Sequence, residues 1–336
     1  MNQITFNPSE TGEVPAAKRT NRGVRRFWVL AGWALILGVL AMIVLRWQNP
    51  DRSLVVALVG LTPFFAVPLV FGVLSAWLSR SNPLRAMAAV VTAAFIFTTS
   101  PVDAVIGCHG GTASDAITIY TANVLVGGGR PAEVASSVAA ADADVILMQE
   151  VSWQFMTDLR AEPMMAGYSY WSFDTERIPH KELIVSRWPL ENVELDRSRG
   201  GDLTTADVLS PNGRFQTGVV HVHAPINDTN AFYWNRQLRM LADREVSGPA
   251  IIGGDFNATS DHQPFRHLLG AGWTDVHDQK GCGPDHTWPV DGLLPVPVYR
   301  LDHILVSDDF EVLDVQFGDP GGSDHKPVIS SIRLSS

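Results

Sequence analysis

The sequence predicts an α/β domain carried behind three membrane-spanning helices. Three observations point there. Uncharged apolar stretches run from Phe27 to Leu45, from Leu54 to Leu78 and from Ala86 to about Val102, over 19, 25 and 17 residues, and a helix needs about 20 apolar residues to cross a bilayer. Residues 1–109 hold nine Lys/Arg against four acids, whereas 110–336 hold 16 against 31. Past residue 110, short β-branched runs alternate with segments of helical period, the pattern of layered α/β proteins.

Residues 1–26 are polar, with Pro8, Gly12, Pro15 and Gly23, and end in the basic cluster Lys18 to Arg26. They read as a cytoplasmic tail, because positive charge stays on the cytoplasmic side of a membrane. Residues 27–106 form the membrane region, with helices expected over about 27–45, 54–78 and 86–105. Pro63 and Pro68 interrupt the second, and Asp103 falls at the end of the third. A cleaved signal peptide is a poor fit to the first stretch, which is too long and is soon followed by another. The two connecting loops carry two Arg each and do not discriminate between orientations. The tail does, and three crossings from an inside tail place the C-terminal domain outside the cytoplasm. The resulting expectation is a multi-pass protein of the cell membrane. Val105-Ile106-Gly107-Cys108 has the look of a lipoprotein cleavage box, but after three spans it is read as chance.

The remaining 110–336 is long enough for one large core. Its acidic balance argues against avid binding of polyanions, which relies on Lys/Arg. It suits a domain that gathers carboxylates around a divalent cation. Cys108 and Cys282 lack zinc spacing, and sequence leaves open whether they pair. Ala116 to Leu125 alternates as a strand and contains Asn123. Pro131 to Ala141 reads as a helix with Pro in its first turn. Asp144 to Glu150 reads as a buried strand, and Leu183 to Ser186 as a short one. Phe215 to His223 is a long strand with His221 and His223 on one face. Phe232 to Arg244 is a helix with Trp234, Leu238 and Leu241 as its core stripe. Pro264 to Leu269 is a short helix. Tyr299 to Val306 is a strand with an acid inside it, and Val328 opens the last strand.

One stretch organises the rest. Ile251 and Ile252 end a buried strand at Gly253-Gly254, and Asp255-Phe256-Asn257 follow. Glycines at a strand end let the backbone turn and let another chain or a ligand approach. A carboxylate and a carboxamide then stand at the mouth of a sheet, where α/β proteins bind ligands. Similar polar residues recur at strand ends: Asn123, Glu150, His221 or His223, Asp302, Asp324 and His325. Together they supply hard oxygen ligands and imidazole–carboxylate pairs, the inventory for metal-assisted phosphoester hydrolysis. Oxygen-rich ligation favours Mg²⁺, with Mn²⁺ as the alternative, over zinc.

Thr121-Ala122-Asn123, Gln149-Glu150, Gly254-Asp255-Phe256-Asn257-Ala258, Leu301-Asp302-His303 and Ser323-Asp324-His325-Lys326-Pro327 resemble the ordered signature of the endonuclease/exonuclease/phosphatase superfamily, in a membrane-anchored form of bacterial type. The resemblance spans about 115–334. It implies the fold of deoxyribonuclease I, a four-layer α/β/β/α sandwich. It implies Glu150, Asn123 and Asp324 as the metal-side residues. Asp255 would orient or deprotonate water, and Asn257 would hold a phosphoryl oxygen. Asp302 would fix the tautomer of His325, which would contact the scissile phosphate. A further histidine is implied at the end of the 215–223 strand. His221 and His223 both remain candidates, with spacing to Pro225 favouring His221. His180-Lys181-Glu182-Leu183 departs from the family's small-residue lead-in at that point, which bears on substrate contacts.

The expected activity is therefore Mg²⁺-dependent hydrolysis of a phosphodiester or phosphomonoester by direct water attack, with no covalent enzyme intermediate. Nucleic acid and a phospholipid are both open as substrate. Arg177, Lys181, Arg187, Arg197, Arg199 and Arg214 lie between the motifs as the raw material of a nucleic-acid groove. The alternative is a catalytically silent binding or scaffold domain on the same fold. Nothing in the sequence identifies a protein partner.

Overall fold

Residues 22–99, 110–111, 113–126, 128–173, 182–196, 202–280, 286–291 and 296–335 are described by a computed structural model. Cys108, Cys282, Asp103, Arg177, Lys181, Arg197, Arg199 and most of the N-terminal tail lie outside the described residues.

Alternation along each strand builds the layers. β1 (Ile117–Asn123) turns Ile117 and Ile119 to one side and Tyr120 and Ala122 to the other, and β2 (Val145–Gln149) does the same with Val145 and Leu147 against Ile146 and Met148. The first set meets Ala206, Phe215, Val219, Ile251 and Ile304 of a second sheet in a central core. The second set is covered by α5 (Pro131–Ala140) and α6 (Trp153–Ala161), through Val134, Val138, Phe155 and Leu159. On the far face of the second sheet, α7 (Asp228–Ala242) and α8 (Gln263–Leu269) bury Trp234, Leu238, Phe265 and Leu268. The layers thus run helix, sheet, sheet, helix.

Both sheets have six strands. β1, β2, β3 (Tyr170–Trp171) and β4 (Leu183–Ser186) belong to the first, with β11 (Phe310–Phe317) and β12 (Val328–Leu334). The order is β11-β12-β1-β2-β4-β3. The second sheet holds β5 (Leu190–Asp196), β6 (Asp202–Ser210), β7 (Gly213–His221), β8 (Ala250–Asp255), β9 (Thr274–Asp275) and β10 (Asp302–Val306). Its order is β5-β6-β7-β8-β10-β9, and the short α9 (Val276–Lys280) follows β9. Each sheet contains one parallel pair, β1 with β2 and β7 with β8. Each pair is joined through a helix, as parallel strands require. The carboxyl ends of both pairs, Asn123, Gln149, His221 and Asp255, therefore reach the same edge of the sandwich.

The N-terminal region differs from expectation. The first span is one helix, α1 (Arg22–Arg46). The second apolar stretch is broken. α2 (Ser53–Gly60) and a 3-10 turn (Thr62–Phe65) precede α3 (Ala66–Ser79). Proline lacks an N–H and favours a helix start, and Pro63 sits in the first turn after the break. The third helix, α4, covers Asn82–Thr99. Among the described residues two segments, Arg22–Arg46 and Thr62–Ser79, are long and apolar enough to cross a membrane, not three. Asn82, Arg85, Thr92, Thr98 and Thr99 make α4 the more polar one. The apolar residues of α2 serve another purpose. Val56 enters the outer core beside Val220 and Trp234.

Candidate active site

Strand geometry brings the polar residues together at one edge. Gly254 has φ +152°, and a Cβ there would stand 2.0 Å from the Val220 carbonyl oxygen. Only glycine lets β8 run that close to β7, which places Asp255 opposite His221. On its other side Asp255 pairs with Asp302 at the start of β10. The Ser323–Lys326 loop is drawn in by Ser323, whose hydroxyl donates to the Asn123 carbonyl at 2.6 Å and accepts from the His325 N–H at 3.1 Å.

The central pair is Asp302 and His325. Both are buried, and His325 Nδ1 lies 2.8 Å from Asp302 Oδ2. This leaves His325 Nε2 facing Asp255 Oδ2 at 3.8 Å and Asp324 Oδ1 at 4.0 Å. Burial opposes charge on His325, but the Asp302 and Asp255 carboxylates outweigh it and raise its pKa to about 10. Near neutral pH the ring is an imidazolium. Burial pushes the Asp255 carboxyl upward, and Asp302 adds to this. His325, His221 and the Asn257 N–H only partly relieve it. Such a carboxylate has a raised proton affinity, which suits a base.

Asn123 connects the two sheets. Its Nδ2 donates to Glu150 Oε1 and to Asp255 Oδ2, both at 3.1 Å, while its Oδ1 accepts from the Leu125 N–H. The amide nitrogen, not the oxygen, thus faces the site. Glu150 Oε2 accepts from the Val126 N–H at 3.1 Å. Burial works against the Glu150 charge, but Val126, Asn123, His221 and His325 together hold its pKa below the usual value. Glu150 has φ +60° and Asn257 φ +47°, a left-handed backbone that costs free energy for residues with a Cβ. That two candidate site residues carry it fits strain held in place by the surrounding fold. Asn257 Nδ2 donates to the Val222 carbonyl, and its backbone N–H donates to Asp255 Oδ1 at 2.8 Å.

The two histidine candidates separate. His221 ends β7 with Nε2 3.7 Å from both Glu150 Oε1 and Asp255 Oδ2. His223 lies beyond the strand, where alternation no longer applies, and its ring packs on Tyr233 at 5.9 Å. Sequence reasoning missed Trp288. Its indole N–H donates to Asp324 Oδ2 at 2.9 Å, and its ring centroid is 6.3 Å from that of His325. A lone Trp in a loop rich in Pro and Gly carries no signal by which it would be found.

Ligating atoms of Asp255, Asp302 and His325 lie within 4.8 Å of one another, close enough for one cation. The Asp302–His325 bond, however, already occupies one atom of each. Asp302 Oδ1 and Asp324 Oδ1 are buried without a hydrogen-bond partner. These oxygens and the Glu150 carboxylate are donors of the hard, all-oxygen type that suits a divalent cation. Arg187 and Arg214, the described members of the basic set, stand elsewhere. Arg187 follows Ser186, which pairs with Val145 at the end of β2 remote from Glu150, and it bonds Asp142 and Asp144. Arg214 lies near the start of β7 and bonds Asp207 and Glu191.

Comparison with known proteins bears on the family and the fold. The sequence profile of the Endonuclease/Exonuclease/phosphatase family matches residues 120–325. No curated protein sequence gives a significant match. Solved structures with the same fold include an endonuclease/exonuclease/phosphatase from Beutenbergia cavernae DSM 12333, at 18% identity and TM-score 0.52, covering 66% of this chain and 72% of that one. D. rerio TDP2 complexed with single strand DNA product superposes with TM-score 0.55 at 17% identity, over 66% of this chain and 100% of that one. An endonuclease/exonuclease/phosphatase from Bacteroides vulgatus gives TM-score 0.53 at 17% identity, over 66% and 99%.

Proposed function

The chain belongs to the endonuclease/exonuclease/phosphatase family, and from that premise we propose that it is a membrane-anchored, Mg²⁺-dependent phosphoester hydrolase. The observation that carries the reading is the Asp302–His325 pair aimed at Asp255, with the oxygen donors of Glu150 and Asp324 beside it. Glu150 and Asp324 would hold Mg²⁺, which when bound supplies charge neutralisation at the phosphoryl oxygens. Asn123 positions Glu150 and Asp255 relative to each other. Asp255 orients the attacking water and takes its proton. The His325 imidazolium, kept in one orientation by Asp302, stabilises negative charge developing on the phosphoryl group. His221 adds a second imidazole on the Glu150 side. Asn257, anchored by Val222, contributes its remaining amide capacity to a phosphoryl oxygen.

The anchor reading rests on α1 and on Thr62–Ser79. One end of this bundle is basic. Arg22, Arg25, Arg26, Arg80 and Arg85 gather there, with Arg25 Nε donating to the Ser79 carbonyl and Arg85 to those of Ala76 and Trp77. The other end of α1 carries Arg46, docked on Asp261 of the α/β domain at 2.7 Å. α4 packs on α1 and α3, starting at the basic end. By Gly111, whose N–H donates to the Leu313 carbonyl, the chain is back on the domain. With α4 read as a third, more polar crossing, the positive-inside tendency favours an extracytoplasmic domain. A reporter fused after Ser336 that works only in the cytoplasm stays silent under this topology, and its activity would reverse it.

The direct test uses the full chain in detergent with Mg²⁺ and bis(p-nitrophenyl) phosphate or p-nitrophenyl phosphate. Asp255→Asn and His325→Gln lower turnover by about 10²–10⁴-fold. Wild type as inert as the variants on these esters, on DNA, on RNA and on phospholipid sinks the hydrolase reading.

A further inference from the structure

Residues 286–291 and 296–299 link the pocket to the membrane helices. On their inner side Thr287 and Val290 bond the catalytic motif, through Lys326 N–H to the Thr287 carbonyl at 2.9 Å and Val290 N–H to the Asp324 carbonyl at 3.0 Å. Trp288 adds its bond to Asp324 Oδ2. Their outer side rests on the segment between the two apolar helices. Trp288 pairs with Tyr299, whose hydroxyl donates to the Ala57 carbonyl at 3.2 Å. A Cβ on Gly60 would come within 2.7 Å of the Tyr299 ring, so the fit is close. The ring of Phe64 stacks on His286 at 5.7 Å.

That supporting segment has no charge from Leu54 to Leu78. Leu54, Leu58 and Phe64 are nonetheless exposed, as is Val296. Phe64 continues into Val67, Val70 and Phe71, the outward face of α3. Exposed apolar residues therefore run from α3 to Phe64, which packs on His286 next to Thr287. Exposed apolar groups of this extent mark an interaction surface. An all-apolar surface beside a bilayer is matched by acyl chains, not by a polyanion. The described arginines offered for a nucleic-acid groove are also paired with acids at the far ends of their strands.

We propose that the substrate is a phosphoester lipid that remains in the bilayer, its chains along Phe64 and α3 and its phosphate at Asp255 and His325. This rests on the hydrolase reading above. Water oxygen bonds to phosphorus, the ester P–O bond breaks, and the departing alkoxide takes a proton. Which ester bond breaks decides whether the membrane retains diacylglycerol or phosphatidate.

The test reconstitutes the full chain with Mg²⁺ in vesicles of phosphatidylethanolamine, phosphatidylglycerol, phosphatidylinositol and cardiolipin. Release of headgroups is compared with hydrolysis of the deacylated, water-soluble forms of the same lipids and of a DNA oligonucleotide. At least one lipid is cleaved roughly tenfold or more faster than its deacylated form, a preference of about 1.4 kcal/mol. Phe64→Asp and, separately, Val296→Asp lower lipid cleavage about tenfold while bis(p-nitrophenyl) phosphate turnover is unchanged. Intact lipids beside cleaved soluble esters or DNA overturn the lipid proposal alone. Equal rates for lipid and deacylated form, or Asp variants that leave lipid cleavage unchanged, do the same. No hydrolysis of any phosphoester overturns both readings.

Discussion

Two buried acid–histidine networks share the strand β10, and they are built to opposite ends. Asp302 and His303 are consecutive residues that point to opposite faces. His303 Nδ1 lies 2.6 Å from Asp275 Oδ2, and its Nε2 lies 2.8 Å from the Ala258 carbonyl. Arg300, partly buried, faces Asp275 and bonds Asp278. Both ring nitrogens of His303 and the guanidinium of Arg300 meet acceptors there. His325 meets Asp302 on one nitrogen, but its other nitrogen faces two carboxylates at 3.8 and 4.0 Å, beyond hydrogen-bond reach. Asp302 Oδ1 and Asp324 Oδ1 have no partner. A satisfied polar network stabilises a fold. One left incomplete costs free energy unless a ligand completes it. This difference, more than the residue types, separates a structural histidine from a functional one.

Mutation separates the networks. His325→Gln lowers phosphoester turnover by about 10²–10⁴-fold with little change in the unfolding midpoint. Asp275→Ala does the reverse. It removes the acceptor of His303 Nδ1 and one of the two acids facing Arg300, and costs about 1–3 kcal/mol of stability, read from denaturant midpoints, while the folded fraction keeps its turnover. Inactive but stable Asp275→Ala protein would erase the contrast.

The junction with the N-terminal helices behaves like the satisfied network. Arg46→Met leaves Asp261 buried without its cation and weakens the junction by about 3 kcal/mol, seen as faster proteolysis between residues 46 and 53. His262 sits at the same junction. Its Nδ1 accepts from the Thr259 N–H and its Nε2 faces the Val56 carbonyl. Burial lowers its pKa to about 4, from 6.5. The unfolded chain therefore binds a proton between pH 6.5 and 4 where the folded chain does not. Stability falls as pH drops through that window, by at most about 1.4 kcal/mol per unit. His262→Gln flattens that part of the pH–stability curve, and an unaltered slope refutes the assignment. The smallest effect belongs to Arg214. Its exchange for Ser leaves turnover unchanged, whereas a nucleic-acid groove would make DNA cleavage depend on it.

Much of the candidate site was legible because its side chains sit at strand ends, and strands announce themselves by alternation. Gly253-Gly254-Asp255 is an example, since the steric need at Gly254 is written in the sequence. The structure also separates His221 from His223, which parity left together, because β7 stops at His221. Other features were hidden. β5 carries Glu191, Glu194 and Asp196, and β6 is rich in Thr and Asp, so neither shows the apolar rhythm of a buried strand. Leu54–Leu78 reads as one span by hydropathy, yet its first half is held by long-range contacts from His262 and Tyr299 to Val56 and Ala57, and Asn235 holds Pro50 just before it. Trp288 owes its place to the same kind of contact.

The reading of the incomplete network as a metal-dependent phosphoester site is tested most directly by Mg²⁺ titration of bis(p-nitrophenyl) phosphate hydrolysis, comparing wild type with Glu150→Gln. Saturable activation abolished by EDTA, with the variant needing at least roughly tenfold more Mg²⁺, is the expected result. Turnover indifferent to EDTA, or identical Mg²⁺ curves for the two proteins, would contradict it.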